Sequence, residues 1–234
     1  MSTRQDYITA IGNLVSGDLP LGEAEKIFAI SAAVKKYSGH RPLIIAEDED
    51  GNGSFDYALT LLESWTDGFS EIRSVEYPVD DTSEAANTLD DDDWAIYQKP
   101  EGKCLRFLAD TPSATEDIRI TYTALHTCTD AACTIPANDE EALQILAAGI
   151  FCEMIAAYYA QTQDSTIMAD SVNHKSKAAE YASRAKRFAL LYKEHLGLKE
   201  DDLTPAAAAV ADLDMKYPGG MERLTHPRRQ RVKR

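Results

Sequence analysis

The sequence predicts an α+β fold: a helical bundle (a long antiparallel helix pair plus N-terminal helices) with an inserted small antiparallel β-unit and an extended C-terminal arm. Three observations carry this. Apolar residues recur at steps of three and four through residues 136–197, and again ahead of Gly39. Between residues 41 and 134 the period falls to two, and Gly, Pro and Asn punctuate it. The last nine residues, HPRRQRVKR, hold five basic side chains and no acidic one, behind a Pro218-Gly219-Gly220 break. The expected units are residues 1–40 (N-terminal helices), 41–134 (β-unit), 135–198 (long helical hairpin) and 199–234 (a C-terminal helix and basic arm).

A short helix over residues 6–15 closes near Ser16-Gly17. Asp18-Leu19-Pro20 reads as the entry to a second, because proline is tolerated in a first helical turn. Ala24, Ile27, Phe28, Ser31, Val34 and Tyr37 form its apolar stripe, and Ser38-Gly39 ends it. Leu43, Ile44 and Ile45 then open a strand, and residues 55–61 form another extended run. Asn52-Gly53 between the two is a hairpin signal. Further strands are expected at residues 71–77, 94–98, 103–108 and 118–124. In the last, Ile118, Ile120, Tyr122 and Ala124 alternate with Arg119, Thr121 and Thr123, the pattern of a half-buried antiparallel strand.

The first long helix opens at Asn138, with Glu141 three residues on in a capping-box arrangement. Leu143, Leu146, Ile150, Met154 and Ala157 share one face behind it. In the second, Ala178, Ala182, Ala185, Ala189, Tyr192 and Leu196 alternate steps of four and three, with Tyr181 and Phe188 widening the stripe. A seam of alanines lets two backbones approach closely, and the nearest partner is the first long helix, through a polar link at residues 161–164. Gly197 supplies the left-handed stop. An alanine-rich helix from Thr204 to about Tyr217 precedes the basic arm.

Composition narrows the function. The chain carries a net charge of −15, so residues 1–225, without the five positive charges of the tail, sum to −20. An acidic body of this kind is not a nucleic-acid-binding domain; the tail alone suits phosphate or an acidic protein surface. No apolar run looks long enough to span a bilayer, and the opening residues lack a secretory pattern, so synthesis in the cytoplasm and no membrane partner are expected. Cys104, Cys128, Cys133 and Cys152 are too few for a disulfide scaffold. Cys128 and Cys133, with His126 before them, read as loop cysteines in preference to a metal site, which wants a fourth ligand and tighter spacing.

The motif closest to chemistry is Asp48-x-Asp50-x-Asn52-Gly53-x-x-Asp56, which matches the first half of a calcium loop. Leu59 stands where such a loop needs a bidentate glutamate, and the flanks read as strands, so a hydrated acidic turn is the favoured reading. Asp90, Asp91 and Asp92, with Asp93, form an acidic run suited to a solvated or partner-facing surface. The second long helix has a basic side that includes Lys175, Arg184 and Arg187, and complementary signs on one chain favour head-to-tail contact between copies. No nucleophile elbow, P-loop or dinucleotide fingerprint is present, and the five histidines are scattered. The reading is therefore a non-enzyme without cofactor.

In its order of features the chain resembles the head–tail adaptor (connector) proteins of long-tailed double-stranded DNA phages and prophages. The resemblance rests on residues 65–70 (WTDGFS) running into 74–78 (SVEYP), 118–126 (IRITYTALH), 135–142 (IPANDEEA) and 175–192, and spans most of residues 5–197. None of these is a catalytic motif. The resemblance implies a virion protein at the head–tail interface. It would form a homo-oligomeric ring, typically about twelve-fold, beneath the portal protein, through which double-stranded DNA passes without specific binding. A neck, stopper or tail-completion protein would dock on its far side. It also implies that residues 178–196 line a seam within the subunit, and that the C-terminal arm, with Met221, Arg223, Arg228, Arg229, Arg231, Lys233 and Arg234, grips the portal. The β-unit is a departure from the smallest, mostly helical adaptors, and its role in subunit contacts or neck docking stays open. Competing readings are another neck or tail-completion protein, a calcium-dependent binding module using Asp48, Asp50, Asn52 and Asp56, and a metal hydrolase using the acidic β-unit.

Overall fold

Helix α3 (Glu140–Gln161) is apolar around most of its circumference, and the remaining helices cover it on several sides. Leu143, Leu146, Phe151, Cys152 and Ile155 are buried on it, together with Ala142, Ala147 and Ala148. Helix α1 (Arg4–Leu14) contributes Tyr7, Ile8 and Ile11 to the same core, and α2 (Glu23–His40) contributes Ala29, Ile30, Ala33, Val34 and Tyr37. Helix α4 (His174–Leu196) adds Ala185, Tyr192 and Leu196. Full burial of a side chain such as Phe151 or Ile30 is worth about 2–3 kcal/mol, so this cluster is a principal source of stability.

The computed structural model describes residues 2–17, 19–80, 82, 86–161 and 174–198. Among them the fold is mixed α+β, with four α-helices and two small antiparallel sheets. All six strands lie between α2 and α3 in the chain: β1 (Leu43–Asp50), β2 (Asp56–Ala58), β3 (Ile72–Glu76), β4 (Trp94–Lys99), β5 (Gly102–Phe107) and β6 (Asp117–Ala124). The polar link beyond Gln161, the alanine-rich C-terminal helix and the basic arm lie outside the described residues.

Helix α4 runs back along α3. Tyr181 stacks on Tyr159 with ring centroids 5.9 Å apart, and the His195 ring donates to the carbonyl oxygen of Asn138 at the opposite end. Between these points a Cβ added to Gly149 would sit 3.2 Å from the Phe188 Cβ and 3.6 Å from the Ala185 carbonyl oxygen. Small residues thus set the interhelical distance. At its C-terminus Gly197 takes φ 68° and the Leu198 N–H bonds the Lys193 carbonyl oxygen, which closes the helix in a Schellman turn.

Several local expectations are corrected. Helix α2 starts at Glu23, behind Pro20, because the Gly22 N–H bonds the Glu25 carboxylate and fixes the first turn there. Its buried side is rotated from the expected stripe: Ala24, Phe28 and Ser31 are exposed, and Ile30 and Ala33 point inward. The capping box at Asn138 gives way to a 3-10 turn, Ala137–Asp139, so α3 begins at Glu140. Ala157 is exposed, since the apolar face of α3 runs through Ile155 and Tyr159 instead. The segment Ala137–Gln161 is also long and apolar enough to cross a bilayer, contrary to expectation. The tertiary structure gives that composition another use, because α1, α2 and α4 pack around it. Cys128 and Cys133, whose pairing the sequence leaves open, form a disulfide.

The strands form two three-stranded sheets, ordered β1-β6-β3 and β2-β5-β4. Tyr57, Leu105 and Phe107 from the second meet Val75, Ile118, Ile120 and Tyr122 from the first in a shared core. The edge of the Phe107 ring packs on Tyr77 and on Tyr57. β4 and β5 form a hairpin through Pro100-Glu101. The expected hairpin at Asn52-Gly53 is not formed. β1 pairs with β6 over its full length, whereas β2 pairs with β5, so residues 51–55 cross from one sheet to the other. Asn52-Gly53 does turn, with φ 72° at Gly53. The Gly51 and Gly53 N–H groups, however, bond the carbonyls of Glu116 and Pro112 and hold the chain away from a return path.

Candidate functional site: the helix–sheet junction and the charged faces

The helical core and the β-unit meet in a cluster of polar side chains that the sequence places far apart. Asp139, in the 3-10 turn before α3, is 4 % exposed. Its carboxylate accepts a 2.5 Å bond from the Tyr37 hydroxyl and two bonds, 2.7 and 2.8 Å, from one guanidinium nitrogen of Arg41. The His195 ring lies 3.6 Å away. One turn earlier on α4, the hydroxyl of buried Tyr192 sits 2.7 Å from His40 Nδ1. His126, just past β6, places Nε2 3.1 Å from the Arg41 carbonyl oxygen, and its backbone N–H bonds the Ser38 hydroxyl. The C-terminus of α2, the start of α3, the end of α4 and the exit of β6 are therefore tied at one place.

The electrostatics follow from burial and pairing. Desolvation pushes the Asp139 carboxyl upward, but the bonds from Tyr37 and Arg41 outweigh it and hold it below the usual carboxylate range. Burial, then the bond to Asp139, pushes the Tyr37 hydroxyl well above the ordinary tyrosine range. Burial lowers His126, and burial followed by Lys36 and Lys193 lowers His40, so both favour the neutral imidazole. With every oxygen of Asp139 occupied, the cluster acts as a structural latch. A buried carboxylate bonded in this way fixes the orientation of the elements that carry its partners.

The calcium-loop candidates are not gathered around a common centre. Asp48, on β1, makes a two-point pair with Arg119 of β6 at 2.7 and 2.8 Å. Asp56, on β2, accepts from Arg106 at 2.6 and 2.8 Å and from Lys99 at 2.7 Å. Those partners hold both carboxyls below their usual range, the guanidinium bonds being the first cause in each case. The Asn52 side chain accepts from the Ser54 N–H within the turn, and Asp50 ends β1 opposite Asp117. Among the described residues no group of three or more His, Cys, Asp or Glu side chains is arranged to hold a metal ion. A calcium ion would have to displace arginines from two of its four ligands.

The remaining candidates lie on outer surfaces. Asp90, Asp91 and Asp92 are exposed in the turn entering β4. On α4, Arg184 pairs with Glu180 one turn earlier and lies over the Tyr181 ring, and Arg187 is exposed. Of Lys175 only the backbone is among the described residues. Ala185, Tyr192 and Leu196 are buried against α3; Ala178, Ala182 and Ala189 are half-buried. Met221, Arg223, Arg228, Arg229, Arg231, Lys233 and Arg234 lie outside the described residues.

Charge is divided sharply between the units. Residues 41–134 hold twenty-one acidic and six basic side chains, a net of −15, which equals the net charge of the whole chain. Residues 174–198 hold six basic and two acidic, a net of +4. Within the acidic unit, burial followed by the neighbouring Glu47 and Asp50 raises the Glu49 carboxyl. Large apolar side chains stand on the same surfaces: Ile44, Phe55, Leu61 and Leu108 on the β-unit, and Leu190 and Leu191 on α4. Sequence reading identified both signs of charge but missed the Asp139 latch. Tyr37 and Arg41, four apart at a helix end, were its only local trace. No protein-family model matches the chain, and no curated protein matches it significantly.

Proposed function

We propose that this chain is a structural virion protein, a head–tail adaptor whose copies assemble head to tail into a ring between a portal and the neck or tail. The observation that carries the reading is the division of charge: an acidic β-unit of −15 and a basic α4 of +4 on one subunit, each with exposed apolar side chains. Regions of opposite sign on one subunit favour heterologous contact, and heterologous contacts close into rings when the rotation per copy permits. Exposed leucines on α4 would add the apolar area such an interface requires. The helices packed on α3 suit the wall of a ring, with the antiparallel α3–α4 pair as the core of a helical bundle. Net negative charge suits a channel wall that lets DNA pass without holding it.

Native mass spectrometry of the purified full chain at low ionic strength should show a closed oligomer. Raising the salt should weaken it, because exposed pairs more than about 8–10 Å apart are screened at moderate ionic strength. A strict monomer at both salts would count against the assembly. In the same reading, residues 221–234 form the portal-gripping arm. A chain ending at residue 220 is expected to keep its far-ultraviolet circular dichroism and thermal midpoint, and to lose co-sedimentation with portal-bearing capsids. Unchanged co-sedimentation would remove the arm from the proposal.

A further inference from the structure

We infer that the Cys128–Cys133 disulfide is a thiol-sensitive clasp that keeps residues 2–4 in place and helix α1 docked on the core. The disulfide closes a miniature hairpin. Thr129 and Ala132 bond each other across its tip, and Thr127 and Thr134 do so at its base. The same hairpin grips the chain ahead of α1 on both sides of the disulfide. The Cys133 N–H donates to the Ser2 carbonyl oxygen at 3.0 Å, and the Arg4 N–H donates to the Thr129 carbonyl oxygen at 3.0 Å. The Arg4 guanidinium also makes a two-point pair with Asp130, and the Ser2 hydroxyl donates to Glu140 at the start of α3.

Backbone bonds to residues 129 and 133 hold residues 2 and 4 only while the loop between them keeps one shape. The loop spans six residues and its tip is exposed at Thr129, Asp130 and Ala131, where the Thr129–Ala132 bonds compete with water; the covalent link adds a constraint that does not. The Arg4–Asp130 pair cannot substitute, because Asp130 is largely solvated and exposed ion pairs contribute little. At the base, Thr134 contacts the His126 ring. Release of the loop therefore frees the α1 side while the latch at Asp139, which does not touch the disulfide, stays made.

The sulfur atoms differ in access. Cys133 is 3 % exposed, whereas Cys128 is half-buried beside the exposed tip. A dithiol can therefore attack the Cys128 sulfur as its thiolate. The S–S bond breaks, Cys133 leaves as a thiolate and takes a proton from water. The second thiol of the reagent then displaces Cys128 as a thiol, and the reagent departs as its cyclic disulfide. The protein gains two electrons and two protons, and the dithiol supplies both.

Hydrogen exchange on the full chain, with and without dithiothreitol, tests this. A thiol assay on the chain freed of dithiol and then denatured should show free thiols rising from two, the buried Cys104 and Cys152, to four. Peptides covering residues 2–14 should then exchange at least about tenfold faster, while peptides covering residues 94–107 keep their rate. The variant C128S/C133S should show the fast rate in residues 2–14 with or without the dithiol. If it does not fold, reduction of the native chain decides alone. Four free thiols with unchanged exchange in residues 2–14 would overturn the clasp. So would equal acceleration in residues 94–107, which would mean that the whole fold had opened.

Discussion

Replacing Asp139 with alanine is expected to cost about 3 kcal/mol of folding stability, read as a shift of the urea midpoint at constant slope. The figure comes from what is left behind. The buried Tyr37 hydroxyl loses its acceptor, and a buried polar group without a partner costs about 1–3 kcal/mol. Arg41 loses a two-bond carboxylate but is itself part-exposed, so water recovers some of that loss. Asp139→Asn keeps one acceptor oxygen and should cost less than Asp139→Ala. A loss below about 0.5 kcal/mol for the alanine variant, within the range of ordinary surface substitutions, would mean that the latch does not hold the junction.

The acid limb of stability follows from the same residues. Asp139 has a folded pKa below its unfolded one, so its contribution is full above the ordinary carboxylate value of about 3.9 and is lost as pH falls through the folded value. His40 and His126 also have lowered folded values. Their contribution is full above the ordinary histidine value of about 6.5 and declines as pH falls from there toward their folded values. Stability should therefore fall in two stages, the histidines first and the carboxylates second. Asp139→Asn should flatten the second stage. A second stage unaltered by that substitution would place its origin elsewhere, with Asp6, Asp48, Asp56 and Glu116 as the other lowered carboxyls.

Gly51→Ala is the other change with a large expected effect, about 3 kcal/mol, the upper part of the range for overpacking. A Cβ at Gly51 would stand 1.9 Å from the Ser113 carbonyl oxygen and 2.5 Å from that of Glu116. Both atoms are backbone, and their segment is held. The Ser113 N–H bonds the Tyr77 hydroxyl, which in turn donates to the Glu116 carboxylate at 2.5 Å. Neither strand of the contact can step aside without losing these bonds and the Gly51-to-Glu116 bond. Gly53 is the internal control: it has φ 72° and open space around it. Gly53→Asn, which tolerates the left-handed region, should cost less than about 1 kcal/mol. Equal midpoints for the two variants in urea would show that the crossover is not tightly packed.

These two positions mark where local reading fails. Asn52-Gly53 carries a turn signal, and the chain does turn there, but whether β2 folds back on β1 depends on which strand offers the better partner. β6 takes the whole edge of β1 through eight paired residues, and β2 is left for β5. The same rearrangement separates the candidate calcium ligands, because Asp48 and Asp56 end on different sheets and each finds an arginine. On α2, spacing pointed to one stripe through Ala24, Ile27, Phe28, Ser31, Val34 and Tyr37. The fit of Ile30 and Ala33 beside Val34 and Tyr37 in the core turned the buried side and left Phe28 61 % exposed.

By itself the sequence determined what depends on neighbours in the chain. The period of apolar residues marked helices and strands, and Gly197 marked the end of α4. It also placed the acidic charge in the middle of the chain. Tertiary structure alone decided the contacts that join distant residues: the Asp139 latch, the Cys128–Cys133 link, the partner of each strand and the side of α2 that faces inward. The physical reason is range. Helical periodicity and turn chemistry are settled by side chains a few residues apart, whereas a buried carboxylate or a close backbone approach is settled by whatever the rest of the fold brings beside it.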